Sequence, residues 1–130
     1  MYGFSIAVTG NYDGAIERVT TALQHEGFGV LSDIDVQATL KAKLGIDRGR
    51  YRILGACNPS LAHQALAADP DIGLLPCNVV VREEEDGGVT VAFLDPTAVL
   101  SLVEHEQVAQ LAAEVRAKLE RVRDALAAET

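Results

Sequence analysis

The chain has 130 residues, 48% of them apolar, and 19 acidic against 11 basic side chains give a formal charge of −8. That length fits one domain over residues 1–130, with enough interior to form a core without disulfide or metal staples. The charge lacks the basic footprint that a polyanion demands, so no nucleic-acid partner is expected; Lys41, Lys43, Arg48, Arg50 and Arg52 are the only local basic stretch.

Phe4, Ile6 and Val8 alternate with Ser5, Ala7 and Thr9, the pattern of a half-buried strand. Gly10-Asn11 breaks it, and Asn11 is placed to cap a helix carrying Ile16, Val19 and Leu23. Gly27 supplies the stop. Residues 29–35 read as a second strand. Asp35 then caps a short helix with Val36, Leu40 and Leu44, ended by Gly45. Residues 50–57 form a third strand. Asn58-Pro59 starts a helix, with asparagine as cap and proline at the first helical position. Leu74 to Glu84 is the expected fourth strand, with Pro76 near its beginning, and Asp86-Gly87-Gly88 turns it into a fifth over Val89 to Asp95. Asp95-Pro96 opens a short connection. Glu104 to Ala127 is the clearest helix, because Val108, Leu111, Val115, Leu119, Val122 and Leu126 recur every three or four residues.

No apolar run approaches the ~20 residues that span a bilayer, and the first residues lack the charged and apolar regions of a secretory signal. The expectation is a cytoplasmic protein with no membrane partner and reduced cysteines.

The only two cysteines are each followed by asparagine: Cys57-Asn58 ends the third strand, and Cys77-Asn78 lies early in the fourth. If these strands are antiparallel neighbours, the two thiols meet. Tyr51, Ile53, Gly55 and Cys57 share one face by alternation, as do Cys77, Val79 and Val81. Both sets are mostly apolar, so both thiols are expected on the side covered by helices. The opposite faces carry Ala7, Leu54, Ala56, Val80, Ala92 and Leu94. A second apolar face needs cover, from another copy of the chain or from a hydrophobic ligand; a two-fold homodimer packed sheet to sheet is the expected form, since two-fold dimers are the commonest oligomers.

Cys57 precedes a helix N-terminus, whose partial positive charge favours a thiolate and so a nucleophile or soft-metal ligand. Cysteine is equally a small apolar residue that is often buried inertly. No CxxC or HxxxH spacing is present, so no metal site is expected within one chain; a four-cysteine site across a dimer and a transient disulfide are the remaining forms. Asn58 is explained as a cap. Asn78 is less expected on a strand, where its amide either bonds to the backbone or points at a ligand. Asp33, Asp35 and Asp95 form a possible acid cluster, but Asp35 and Asp95 have cap or turn roles available.

Taken together, Gly27-Phe28-Gly29-Val30-Leu31, Asp33-Ile34-Asp35-Val36, Lys43-Leu44-Gly45, Ile53-Leu54-Gly55-Ala56-Cys57-Asn58-Pro59, Leu75-Pro76-Cys77-Asn78-Val79-Val80-Val81 and Asp95-Pro96 resemble the domain of unknown function 302 family, in the same order and over nearly the whole chain. The resemblance implies an α+β fold of β-α-β(4)-α arrangement, an antiparallel sheet with helices packed on one face, similar in shape to TATA-binding-protein-like folds. It is compatible with a dimer and assigns no activity or cofactor. Shape does not carry DNA binding with it. Cys57, Asn58, Cys77 and Asn78 enter as motif positions without a role.

Three functions compete. A binding module would hold a small ligand, an anionic one included, beside Cys57, Asn58, Cys77 and Asn78, since a helix N-terminus favours anions. A thiol-dependent redox protein or enzyme would use Cys57 with Cys77 as its resolving partner. A structural or regulatory dimer would have no small-molecule site. The cofactor, if any, is not legible.

Overall fold

The computed structural model describes residues 1–75 and 77–128. Its elements in chain order are β1 (Gly3–Val8), α1 (Tyr12–His25), β2 (Gly29–Asp35), α2 (Val36–Leu44), β3 (Tyr51–Cys57), α3 (Pro59–Ala68), β4 (Asn78–Glu83), β5 (Val89–Leu94), α4 (Pro96–Val99) and α5 (Glu106–Ala128). The strands form one sheet in the order β1-β5-β4-β3-β2, and every neighbouring pair is antiparallel. The fold is α+β, with α1 and α5 packed on one face of the sheet.

Local signals account for the helix boundaries. The Asn11 side chain accepts from the Gly14 N–H at 2.7 Å, and the Asp35 side chain caps α2 through Ala38. The α1 helix ends where Gly27 takes φ +86°, a conformation that any side chain would strain. The N–H groups of Gly27 and Phe28 then bond back to Gln24 and Leu23.

Strand register shows which face each residue joins. The row Phe4, Phe93, Val79, Leu54 and the row Ile6, Val91, Val81 lie under the helices. They meet Val19 and Leu23 of α1 and Leu119, Val122 and Leu126 of α5. Side chains as fully buried as Val81 and Val91 each contribute about 1.5–3 kcal/mol relative to exposure. The interleaved row Ser5, Ala92, Val80, Ile53, Ile34 faces the other way.

Two expectations about β3 are corrected by this register. Leu54 and Ala56, expected on the back, are buried in the core, whereas Tyr51, Ile53 and Gly55 lie on the open face. The pattern misled because charged Arg52 shares the inner face with Leu54. It is accommodated at the sheet's border, where it pairs with Asp33 of the edge strand β2. Glycine suits position 55 on the open face, because a Cβ there would press on the Ser32 hydroxyl of β2 unless that hydroxyl turned away.

The fourth strand begins later than expected. Ile72–Leu74 form a single 3₁₀ turn, and the sheet resumes only at Asn78. Pro76 itself lies outside the described residues. The connection after β5 also has structure that the pattern did not reveal: α4, followed by a 3₁₀ turn at Leu100–Leu102.

Candidate functional site

The end of the sheet where β3 stops and β4 starts is where the chain leaves a cavity. The backbone N–H of Ala56 still bonds to the Cys77 carbonyl there at 3.1 Å. Beyond that bond the two strands part. The chain after β3 enters α3, and the chain before β4 comes from the 3₁₀ turn. With α5 and the α4 segment these line a pocket of about 260 Å³ that is open to solvent on one side. The walls are apolar: Phe28 and Ala56 at the sheet end, Leu61 and Ala65 on α3, Ile72 on the turn and Leu111 on α5. Exposed Leu66 forms part of the rim.

Both thiols border this cavity. They do so from different rows, which corrects the expectation that they share a face. Cys77 continues the inward row of Val79 and Val81, and Cys57 continues the outward row of Tyr51, Ile53 and Gly55. They reach a common space because the cavity lies across the end of the sheet, where alternation no longer separates the two sides. Burial pushes the Cys77 thiol above its ordinary pKa, and the neighbouring Cys57 adds to the rise. Both cysteines are free and half-buried.

The two asparagines part company. Asn58 borders the cavity, but both ends of its amide are engaged. Its Oδ1 accepts from the Leu61 N–H at 3.3 Å, capping α3, and its Nδ2 donates to the Glu26 carbonyl at the end of α1 at 3.4 Å. Asn78 is exposed on the open face, in a groove with Tyr2, Ser5, Val80, Arg82 and Ala92. The structure therefore brings Cys57, Asn58 and Cys77 together and leaves Asn78 apart. Its exposure also removes the need for a buried partner.

The acidic residues have structural duties. Asp33 is held below the usual carboxylate range by the hydrogen bond from Arg52. Burial works to raise Asp95, but hydrogen bonds from Thr97 and Arg116, with the Arg116 charge, keep it low. Asp95 caps α4 through the Thr97 N–H at 2.9 Å and pairs with Arg116 on α5. Arg116 was not legible as a partner, since it is one of several charges along a long helix. Tyr12 was also missed: its hydroxyl donates to the Val81 carbonyl at 2.7 Å, and burial pushes its pKa up to about 12. His105 accepts from the Gln107 N–H at 3.1 Å at the start of α5. Among the described residues, no group of three or more His, Cys, Asp or Glu side chains could hold a metal ion. No described helix is long and apolar enough to cross a membrane.

Chemically, the site offers shape and dispersion rather than charge. No cationic or anionic side chain is among its described lining residues, and the polar groups at hand are two thiols and an amide already bonded.

The sequence matches the family described as "Domain of unknown function DUF302" over residues 4–126. A solved structure described as "Crystal structure of uncharacterized conserved protein DUF302 from Bacillus stearothermophilus" is similar at 30% identity. The match covers 97% of this chain and 98% of that one, with a TM-score of 0.88. No curated protein matches the sequence. The chain belongs to the DUF302 family.

Proposed function

We propose that this DUF302 member is a binding module for a small apolar molecule, seated between α3, α5 and the sheet end beside Cys57 and Cys77. The carrying observation is the 260 Å³ cavity with an apolar wall. An engineered apolar cavity of about 150 Å³ already accepts benzene, so this one has room for about ten to twelve heavy atoms. An anionic ligand has one favourable feature, the N-terminus of α3, but Asn58 already occupies the Leu61 N–H and no cation lines the wall. Apolar chemistry is therefore the better fit. Asn78 contributes nothing to this reading. The module works as a homodimer, which would cover the apolar row on the open sheet face, and it keeps its thiols reduced in the cytoplasm.

Naphthalene is a suitable probe. At about ten times its Kd it should raise the melting temperature of the protein by about 3–6 °C. Ala65→Phe, which fills the cavity from α3, should remove that rise. No rise in the unmodified protein, or an equal rise in Ala65→Phe, would refute the reading.

A second reading is favoured by the two thiols bordering one space: a thiol-dependent protein in which Cys57 reacts and Cys77 resolves. It predicts that Cys57→Ser abolishes a thiol reaction while the naphthalene response persists. If neither thiol reacts and no ligand stabilises the protein, a structural or regulatory dimer is the surviving function.

A further inference from the structure

We propose that α2 is a dimer arm, docking on the open sheet face of a second copy, which returns the contact through a two-fold axis. This rests on the homodimer proposed above and names the surfaces that make it.

The helix is the first observation. It has nine residues and sound caps in Asp35 and Gly45, yet none of its residues is fully buried. Helices this short are marginal in water without an apolar face packed on something. Its own sheet gives only partial cover to Val36 and Leu40. Leu44 remains 65% exposed and Ile46, just beyond, 49%. Leu31 and Ile34 on the adjoining edge strand are 76% and 50% exposed.

The sheet is the second. Ile34, Ile53, Val80 and Ala92 make a continuous apolar row across four strands of the open face. One chain thus holds a helix only partly covered by its own sheet and an apolar sheet face that no described helix of the same chain covers. Two copies related by a two-fold satisfy both at once, and the assembly closes.

Charge selects the same partner. Lys41 and Lys43 lie in the last turn of α2, and Arg48 follows in the connection to β3. They stand out in a chain of net charge −8. The hairpin tip Glu83-Glu84-Glu85-Asp86 lies at the same end of the sheet, where β2 ends and β3 begins. Lys43, Arg48 and Glu85 form no ion pair within the described residues, whereas Glu84 of the tip is paired with Arg82 and Glu83 lies on the inward row of β4. With the two-fold running along the strands, the basic arm of one copy meets the acidic tip of the other. Such complementarity fixes register and partner.

Sedimentation of the full chain tests the arm. The unmodified protein should dimerise, and Leu44→Glu and Val80→Glu should each weaken association about 30-fold or more, the effect of a central interface residue. Circular dichroism checks that both variants stay folded. Lys43→Glu should weaken association and Glu85→Lys, added to it, should restore it. If Leu44→Glu leaves the dimer intact while Val80→Glu splits it, the sheet-to-sheet dimer stands and the arm is refuted. If the unmodified protein stays monomeric at about 100 μM, a concentration at which even weak specific dimers form, both readings fail.

Discussion

Cys57-Asn58 and Cys77-Asn78 are the same dipeptide with different structural fates. The first ends a strand and starts a helix, so its cysteine and asparagine both stay at one corner: the thiol borders the cavity and the amide ties α1 to α3. The second starts a strand, so alternation sends its two side chains apart, the thiol to the cavity and the amide to the open face. Repetition in sequence becomes repetition in space only where the backbone treats both copies alike.

The largest expected difference between the two is in stability. Asn58→Ala should cost about 1–2 kcal/mol, because it uncaps α3 and releases the Glu26 carbonyl. Chemical denaturation measures it. Gly27→Ala should cost about 1 kcal/mol, since φ +86° disfavours a side chain. Its Cβ would also meet Asn58 Nδ2 at 3.0 Å. The penalty should therefore shrink when Asn58 is already alanine, a coupling that a double-mutant cycle reads. Additive costs would mean that the two sites do not touch.

A smaller effect concerns pH and the cysteine of the second block. The folded Cys77 thiol has a raised pKa, so the folded state holds that proton longer than the unfolded state does. The contribution to stability is present in full below the unfolded thiol pKa of about 8.5 and is lost as pH rises through the folded value. Denaturation midpoints should fall more steeply above that pH in the unmodified protein than in Cys77→Ala. Identical slopes would show that Cys77 titrates freely. The smallest effect is that of Asn78→Ala, within about 0.5 kcal/mol, as for exposed residues generally. A cost matching that of Asn58→Ala would erase the distinction between the blocks.

Most element boundaries were legible because local chemistry sets them. Asn11, Asp35 and Asn58 each cap the helix that their position announces. The heptad-like stripe of α5 buries Val108, Leu111, Leu119, Val122 and Leu126 as its spacing demands. Which way β3 faced was not legible, because both of its faces are largely apolar and the inward Arg52 finds its partner, Asp33, on another strand. The α4 segment escaped notice because four residues give no periodicity to read. For the candidate site, the meeting of Cys57 and Cys77 could be reasoned from antiparallel pairing. The cavity could not, since it depends on α5 and the 3₁₀ turn arriving at the same corner.

The central claim, that the two thiols flank an apolar ligand space from which Asn78 is excluded, is tested most directly by backbone and side-chain amide NMR during titration with naphthalene. The account predicts saturable shifts at Cys57, Leu61, Cys77 and Leu111, with the Asn78 side-chain amide and the Val80 and Ala92 backbone unmoved. Shifts confined to Asn78, Val80 and Ala92, or none at any concentration, would contradict it.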